Sequence, residues 1–317
     1  MENQAPTSKD NVSWERAAIE KLLLADVRER RALRRWRIVR GVLWLALAAV
    51  VVWLAYADDL RGNKSTGPHT AMVTIKGEIA DGADASAENI LPAMRDALDD
   101  SDTKALVLVI NSPGGSPVQA GLINDEIFRL KKLHHKPIYT VVEESCASAA
   151  YYIASASDKI YVDKASIVGS IGVLMDGFGF TGAMQKLGVE RRLLTSGANK
   201  GMLDPFSPLT DTQREYAQTL LDQIHQQFID VVKKGRGNRL KPSPELFSGL
   251  FWTGQQAVDM GLADDFGSLD EVARDVVKAD DVVDYTNRAS LAERMAKRFG
   301  AALGQGAVEA IKGVSLR

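Results

Sequence analysis

Residues 105–115 read ALVLVINSPGG, and this stretch decides the fold. Side chains alternate between the two faces of a strand, so six apolar residues in a row, Ala105 to Ile110, need cover on both faces. That is the signature of a strand inside a parallel sheet with helices on either side. The run ends in Asn111-Ser112-Pro113-Gly114-Gly115, where two glycines permit positive φ and a close backbone approach. Ligands in open α/β sheets sit at such carboxyl ends of strands.

Working outward, the same alternation of short apolar runs and helical periodicity continues in both directions. Upstream, Ala71–Ile75 reads as a strand and Ala87–Leu98 as a helix. Downstream, the expected order is a helix at Leu122–Leu133, then strands at Pro137–Val142, Lys159–Val162 and Ile167–Val173. A helix at Thr181–Leu187, a strand at Glu190–Leu194 and a long amphipathic helix at Asp211–Lys234 follow. Phe251–Asp265 suggests a helix ended by Gly261, residues 268–278 another, and residues 289–315 a terminal amphipathic helix. The expected class is α/β, a parallel sheet with surrounding helices.

The 317 residues are 45% hydrophobic and 25% charged, an ordinary globular balance. The net charge of −2 hides an asymmetry: residues 1–40 carry ten Lys/Arg against six Asp/Glu, and the rest 29 against 35. An acidic body argues against nucleic acid as its partner. Cys146 is the single cysteine, so neither an intrachain disulfide nor a thiolate metal cluster is available. The four histidines show no metal-ligand spacing, and no metal or cofactor is expected.

Residues 41–57, GVLWLALAAVVVWLAYA, contain no charge, and extension back to Ile38 gives about twenty residues, or roughly 30 Å of helix. Tryptophans lie toward both ends, seven arginines between positions 28 and 40 precede the run, and Asp58-Asp59 follow. The positive-inside rule then places residues 1–37 in the cytoplasm as a basic helical segment, 38–57 across the membrane and everything after Asp58 outside it. Ala55-Tyr56-Ala57 also fits a signal-peptide cleavage site, but the long basic head and apolar span favour an uncleaved anchor. Residues 58–70 form a linker, 71–280 the globular domain and 281–317 an amphipathic tail.

Two further segments follow expected strands. Ser145-Cys146-Ala147-Ser148-Ala149-Ala150-Tyr151-Tyr152 places serines among small residues at the start of a helix, where N–H groups point outward. Ser145 is the better N-cap candidate, which leaves Ser148 in the first turn without a capping role. Ser196-Gly197-Ala198-Asn199-Lys200 offers a lysine, which serves as a base only when stripped of water.

Taken together, INSPGG (110–115), CASAAYYIA (146–154), VGSIGV (168–173) and SGANKG (196–201) resemble the signal peptide peptidase A family, short form, within the Clp protease and crotonase group. KKGRG (233–237) and GLADDFG (261–267) add support. The resemblance implies Ser148 as nucleophile, Lys200 as general base and Ser170 as the serine that positions the lysine. It also implies an oxyanion hole from the N–H groups of Gly115 and Ser148. The family commonly has two glycines after the nucleophile where this chain has Ala149-Ala150, which bears on substrate preference. The resemblance further implies cleaved signal peptides and unfolded apolar peptides as substrates. It implies a homo-oligomeric ring whose active site is shared between subunits, and an inner-membrane location with the peptidase domain periplasmic.

Other readings fit less well. Gly177-Phe-Gly-Phe-Thr-Gly182 is a literal G-x-G-x-x-G, but no carboxylate stands about twenty positions on to take a ribose. A crotonase-like acyl-thioester enzyme would use the glycine turn without Ser148 or Lys200. An inactive peptide-binding scaffold would not need Ser148, Ser170 and Lys200 together. A cysteine peptidase built on Cys146 lacks a histidine in a matching motif.

Overall fold

The computed structural model describes residues 34–50, 53 and 67–287. The chain divides into two units, residues 63–289 and a second made of residues 1–62 with 290–317. In the second unit, residues 34–50 and 53 are helical and solvent-exposed. Among the described residues no helix is long and apolar enough to cross a membrane. Of the expected anchor, residues 51–52 and 54–57 lie outside the described residues, as do residues 1–33 of the expected basic segment and the expected helix at 289–315.

Residues 63–289 carry the α/β body. Its elements run β1 (His69–Lys76), α1 (Ala87–Asp99), β2 (Thr103–Ser112), α2 (Pro117–His134), β3 (Ile138–Ala147), α3 (Ala149–Ala154), β4 (Lys159–Val162) and β5 (Ile167–Gly169). They continue with α4 (Thr181–Leu187), α5 (Asp211–Arg236), β6 (Phe251–Thr253), α6 (Gly254–Met260), β7 (Asp265–Phe266) and β8 (Val282–Asp284). The sheet order is β6-β5-β3-β2-β1-β8, with a side branch in which β4 pairs with β3 and β7 with β4. Every pairing is parallel except β5 with β6.

β2 is buried along almost its whole length, and its side chains feed two cores. Leu106, Leu108 and Ile110 enter the larger cluster with Ile90, Met94 and Ile127 of α1 and α2. Val107 and Val109 enter a second one with Val141 and Tyr161. The uninterrupted apolar run thus has the two-sided cover its composition requires.

β3 is longer than the apolar run at 137–142 suggests. Its first half pairs with β2 and β4; after a register shift its second half, Ser145 to Ala147, pairs with β5. This change of partner carries the chain past the ends of the neighbouring strands before α3 begins. Four expectations fail. The helix expected over Phe251–Asp265 is confined to Gly254–Met260, with β6 before it and β7 after it, and Val282–Asp284 of the expected 281–317 tail pairs with β1 as β8. Glu190–Leu194 is no strand: these residues are exposed and unpaired, Leu194 being 96% exposed, and an apolar run with no neighbouring edge has no ladder to join. β5 stops at Gly169, three residues into the expected 167–173 run, because Gly169 (φ +108) and Ser170 (φ +52) leave the extended region.

Candidate active site

Three loops leave the carboxyl ends of adjacent strands and converge. Ser112 of β2 pairs with Cys146 of β3, and Ala147 of β3 pairs with Gly169 of β5. The turn 113–115, the residue Ser148 and the residue Ser170 are therefore neighbours by register. The structure brings Ser148, Ser170 and the glycine turn together.

Ser148 stands at the N-cap position of α3 with φ 54 and ψ −124, a conformation non-glycine residues rarely hold. Its side chain makes no capping bond, so the hydroxyl is free for other chemistry. The expectation that Ser145 caps the helix is corrected. Ser145 lies in β3, and its hydroxyl donates to the Ser112 carbonyl at 3.2 Å. The N-cap site passes to Ser148 because β3 runs five residues beyond the expected end at Val142.

The glycine turn is pinned from below. The Ile79 amide donates to the Gly114 carbonyl at 2.9 Å, and the Ser116 amide to the Ile79 carbonyl at 2.7 Å. Gly114 (φ +110) presses on the serine loop so closely that a Cβ there would lie 2.7 Å from the Ser148 Cβ and 3.0 Å from the Ala149 nitrogen. Only glycine admits this contact.

The free amides differ from those implied by the resemblance. The Ser148 N–H donates to the Gly169 carbonyl at 2.8 Å, as the register of β3 with β5 requires, and is not available to an oxyanion. The N–H groups of Gly115 and Ala149 have no hydrogen-bond partner among the described residues. Ala149 is the first residue of α3, where the helix leaves its N–H unsatisfied and its dipole favours negative charge. Ala149 and Ala150 are both buried against the core.

Ser170 is half-buried, and its amide donates to the Leu250 carbonyl at 2.8 Å. His225 of α5, which the sequence reading left without a role, has its Nε2 3.0 Å from the carbonyl of the next residue, Ile171. No motif marks His225; its place on α5 becomes meaningful only once α5 packs beside this loop.

Lys200 is not brought to the serines by any hydrogen bond or ion pair of its side chain among the described residues. It is exposed, in a turn where its amide bonds the Gly197 carbonyl at 3.1 Å. It rides on an arm, residues 174–209, in which no residue is buried and Leu174, Phe178, Leu187 and Leu194 are each more than three-quarters exposed. Phe180 and Phe206 stack within the arm at 5.4 Å, and Arg191 pairs with Asp204, so the arm has internal order without a core.

Burial pushes the Cys146 thiol well up, which removes a thiolate nucleophile from the site. Among the described residues no group of three or more His, Cys, Asp or Glu is placed to hold a metal ion.

A parallel-dominated α/β sheet presents the strained Ser148 at its carboxyl edge. The family model described as Peptidase family S49 matches residues 131–283, which include Ser148, Ser170 and Lys200. A candidate protease of Synechocystis sp. (strain PCC 6803) is 30% identical over 209 residues, 65% of this chain and 73% of that relative. The chain belongs to peptidase family S49. A candidate signal peptide peptidase of Enterococcus faecium is 33% identical over 199 residues, 63% of this chain and 58% of that protein. A protein of Brucella melitensis biotype 1 named as a Na(+)/H(+) antiporter is 47% identical over 173 residues, 55% of this chain but 24% of that protein. The chain thus spans less than two thirds of the latter two relatives.

Proposed function

We propose that this chain is a membrane-anchored serine endopeptidase that degrades remnant signal peptides and other unfolded apolar peptides. One observation carries the reading: a serine held at φ 54 on the sheet's carboxyl edge, with a free hydroxyl and two unpartnered amides, Gly115 and Ala149, at its flanks. Strain of this kind persists only where the surroundings enforce it, and it clusters at sites of chemistry.

In the proposed reaction Ser148 Oγ attacks the scissile carbonyl while Lys200 takes its proton. The Gly115 and Ala149 amides receive the developing oxyanion, Ala149 replacing the Ser148 amide in that role. The lysine passes the proton to the leaving amine, and water then hydrolyses the acyl-enzyme with the same lysine as base. Ser170 orients the amine.

The exposed state of Lys200 supports a base supplied by a neighbouring copy. An arm with this much uncovered apolar surface is unusual on a chain that acts alone, and its burial on a second copy would strip water from the amine. A ring of copies with shared sites follows, anchored by residues 38–57 with the N-terminus cytoplasmic and the body periplasmic. The name of the Enterococcus relative supports signal peptides as substrates.

The test is complementation. Ser148→Ala and Lys200→Ala chains, each inactive alone on an unfolded apolar peptide, are co-expressed with different tags and purified through both. Regained hydrolysis supports a nucleophile and base from different copies. A doubly tagged assembly without activity contradicts it.

A further inference from the structure

KKGRG at 233–237 and GLADDFG at 261–267 support the resemblance but receive no role from it. In the fold they meet directly behind α3. Arg236 closes α5, and its side chain is fully buried. Its Nε donates to the Gly261 carbonyl at 3.0 Å and its Nη1 to Asp264 Oδ2 at 2.7 Å. The same Asp264 oxygen accepts the Ile160 amide at 2.7 Å, and Oδ1 accepts Arg239 Nη1 at 3.3 Å. Burial works to raise the Asp264 pKa, but the hydrogen bond and charge of Arg236, helped by the Ile160 amide and Arg239, hold it below the usual range.

Between the two residues that Arg236 holds lies Leu262, and its carbonyl accepts the Tyr151 hydroxyl at 2.8 Å. Tyr151 is fully buried and stands on the first turn of α3, three positions after Ser148. At the far end of α3 the Ser155 carbonyl lies against Gly235, where any Cβ would collide with it. Beside it, Asn124 Nδ2 donates to the Tyr152 carbonyl at 2.8 Å.

These contacts answer a mechanical question. The strained Ser148 backbone needs restraint on both sides. Before it, β3 is fixed by pairing with β2 and β5. After it, α3 has only six residues, and it meets the sheet through apolar packing without strand pairing. The chemistry also argues against packing alone. Phenylalanine would fill the Tyr151 site equally well, and a buried ion pair with one nitrogen, Arg236 Nη2, left without a partner is a poor source of stability.

We propose that Tyr151 and Arg236 are positioning residues, a brace that fixes α3 and so keeps Ser148 and the Ala149 amide aligned with the Gly115 amide. The brace rests on the reading of Ser148 as nucleophile. It acts on the chemical step, not on peptide binding, because Tyr151 and Arg236 are both fully buried, out of reach of a bound peptide.

The experiment compares the full-length chain with Tyr151→Phe, Arg236→Lys and Arg236→Met, well below each melting temperature. Tyr151→Phe removes one oxygen and should lower kcat about tenfold with KM unchanged, and should slow fluorophosphonate labelling of Ser148 by the same factor, on the scale of one buried hydrogen bond. Arg236→Met should lose more than Arg236→Lys. The brace is overturned if folded Tyr151→Phe and Arg236→Lys label and turn over at the wild-type rate, whatever their melting temperatures. A wild-type chain labelled at a residue other than Ser148 removes the nucleophile reading first, and the brace with it.

Discussion

Replacement of Gly114 by alanine separates crowding from backbone strain. The new methyl would sit 2.7 Å from the Ser148 Cβ, 2.8 Å from the Ala147 carbonyl oxygen and 3.0 Å from the Ala149 nitrogen. Non-bonded carbons rest at about 3.5–4.0 Å, so relief requires the serine loop or the glycine turn to retreat by about 1 Å. A shift of that size between nucleophile and oxyanion donors costs about a hundredfold in kcat. The positive φ of 110 adds a stability loss of about 1–3 kcal/mol. The control is Gly77→Ala, whose φ is +82 but whose methyl would meet nothing within 4 Å. It should lose comparable stability and no activity. Both variants are assayed by kcat on an unfolded peptide and by thermal denaturation. Wild-type kcat in a folded Gly114→Ala chain would refute the claim that the two loops are held in contact for catalysis.

Other outcomes follow from the same geometry. The Glu126 carboxylate, held by Arg129 and, against the opposing effect of burial, by Arg95, titrates at about 2 instead of its ordinary 4.5. A lowered folded pKa stabilises above the unfolded value, so this contribution is complete above about pH 4.5 and disappears as pH falls toward 2. With both arginines half-exposed, it amounts to about 1–2 kcal/mol. Urea titrations of Glu126→Gln should show that loss at pH 7 and a flatter acid limb. Leu194→Asp, at a site 96% exposed, should leave the fold intact but shift sedimentation to smaller species and abolish activity; unchanged sedimentation with full activity would remove the arm from assembly. A reporter fused after Arg317 should be active only outside the cytoplasm, and cytoplasmic activity would reverse the proposed orientation.

The sheet was legible in the sequence because its signals are dense and local. Leu106 to Ile110 have to be covered on both faces, and the Asn111–Gly115 punctuation marks where the strand ends. Thr181–Leu187 appears with the bounds its periodicity gives, although nothing buries it. The reading of Glu190–Leu194 fails because a strand is defined by a partner edge, which five residues in isolation do not reveal. β7 and β8 are two and three residues long and earn their place from neighbours alone.

The site was legible as residue types and obscure as directions. Ser148 and the glycine turn are marked by composition. Which amide is free depends on the register of β3 with β5, and that register gives the Ser148 N–H to Gly169 and frees Ala149. Tyr151, Arg236 and Asp264 were hidden for a related reason: Tyr151 reaches Leu262, 111 positions on, and Arg236 reaches Asp264, 28 positions on. The surroundings of Lys200 lie beyond any single copy if a second one covers the arm.

The most direct measurement is the mass-spectrometric location of a fluorophosphonate adduct on the assembled wild-type chain and on Lys200→Ala. The account predicts one adduct, on Ser148, which vanishes when the lysine is replaced. An adduct on another serine, or undiminished labelling of Ser148 without Lys200, would contradict it.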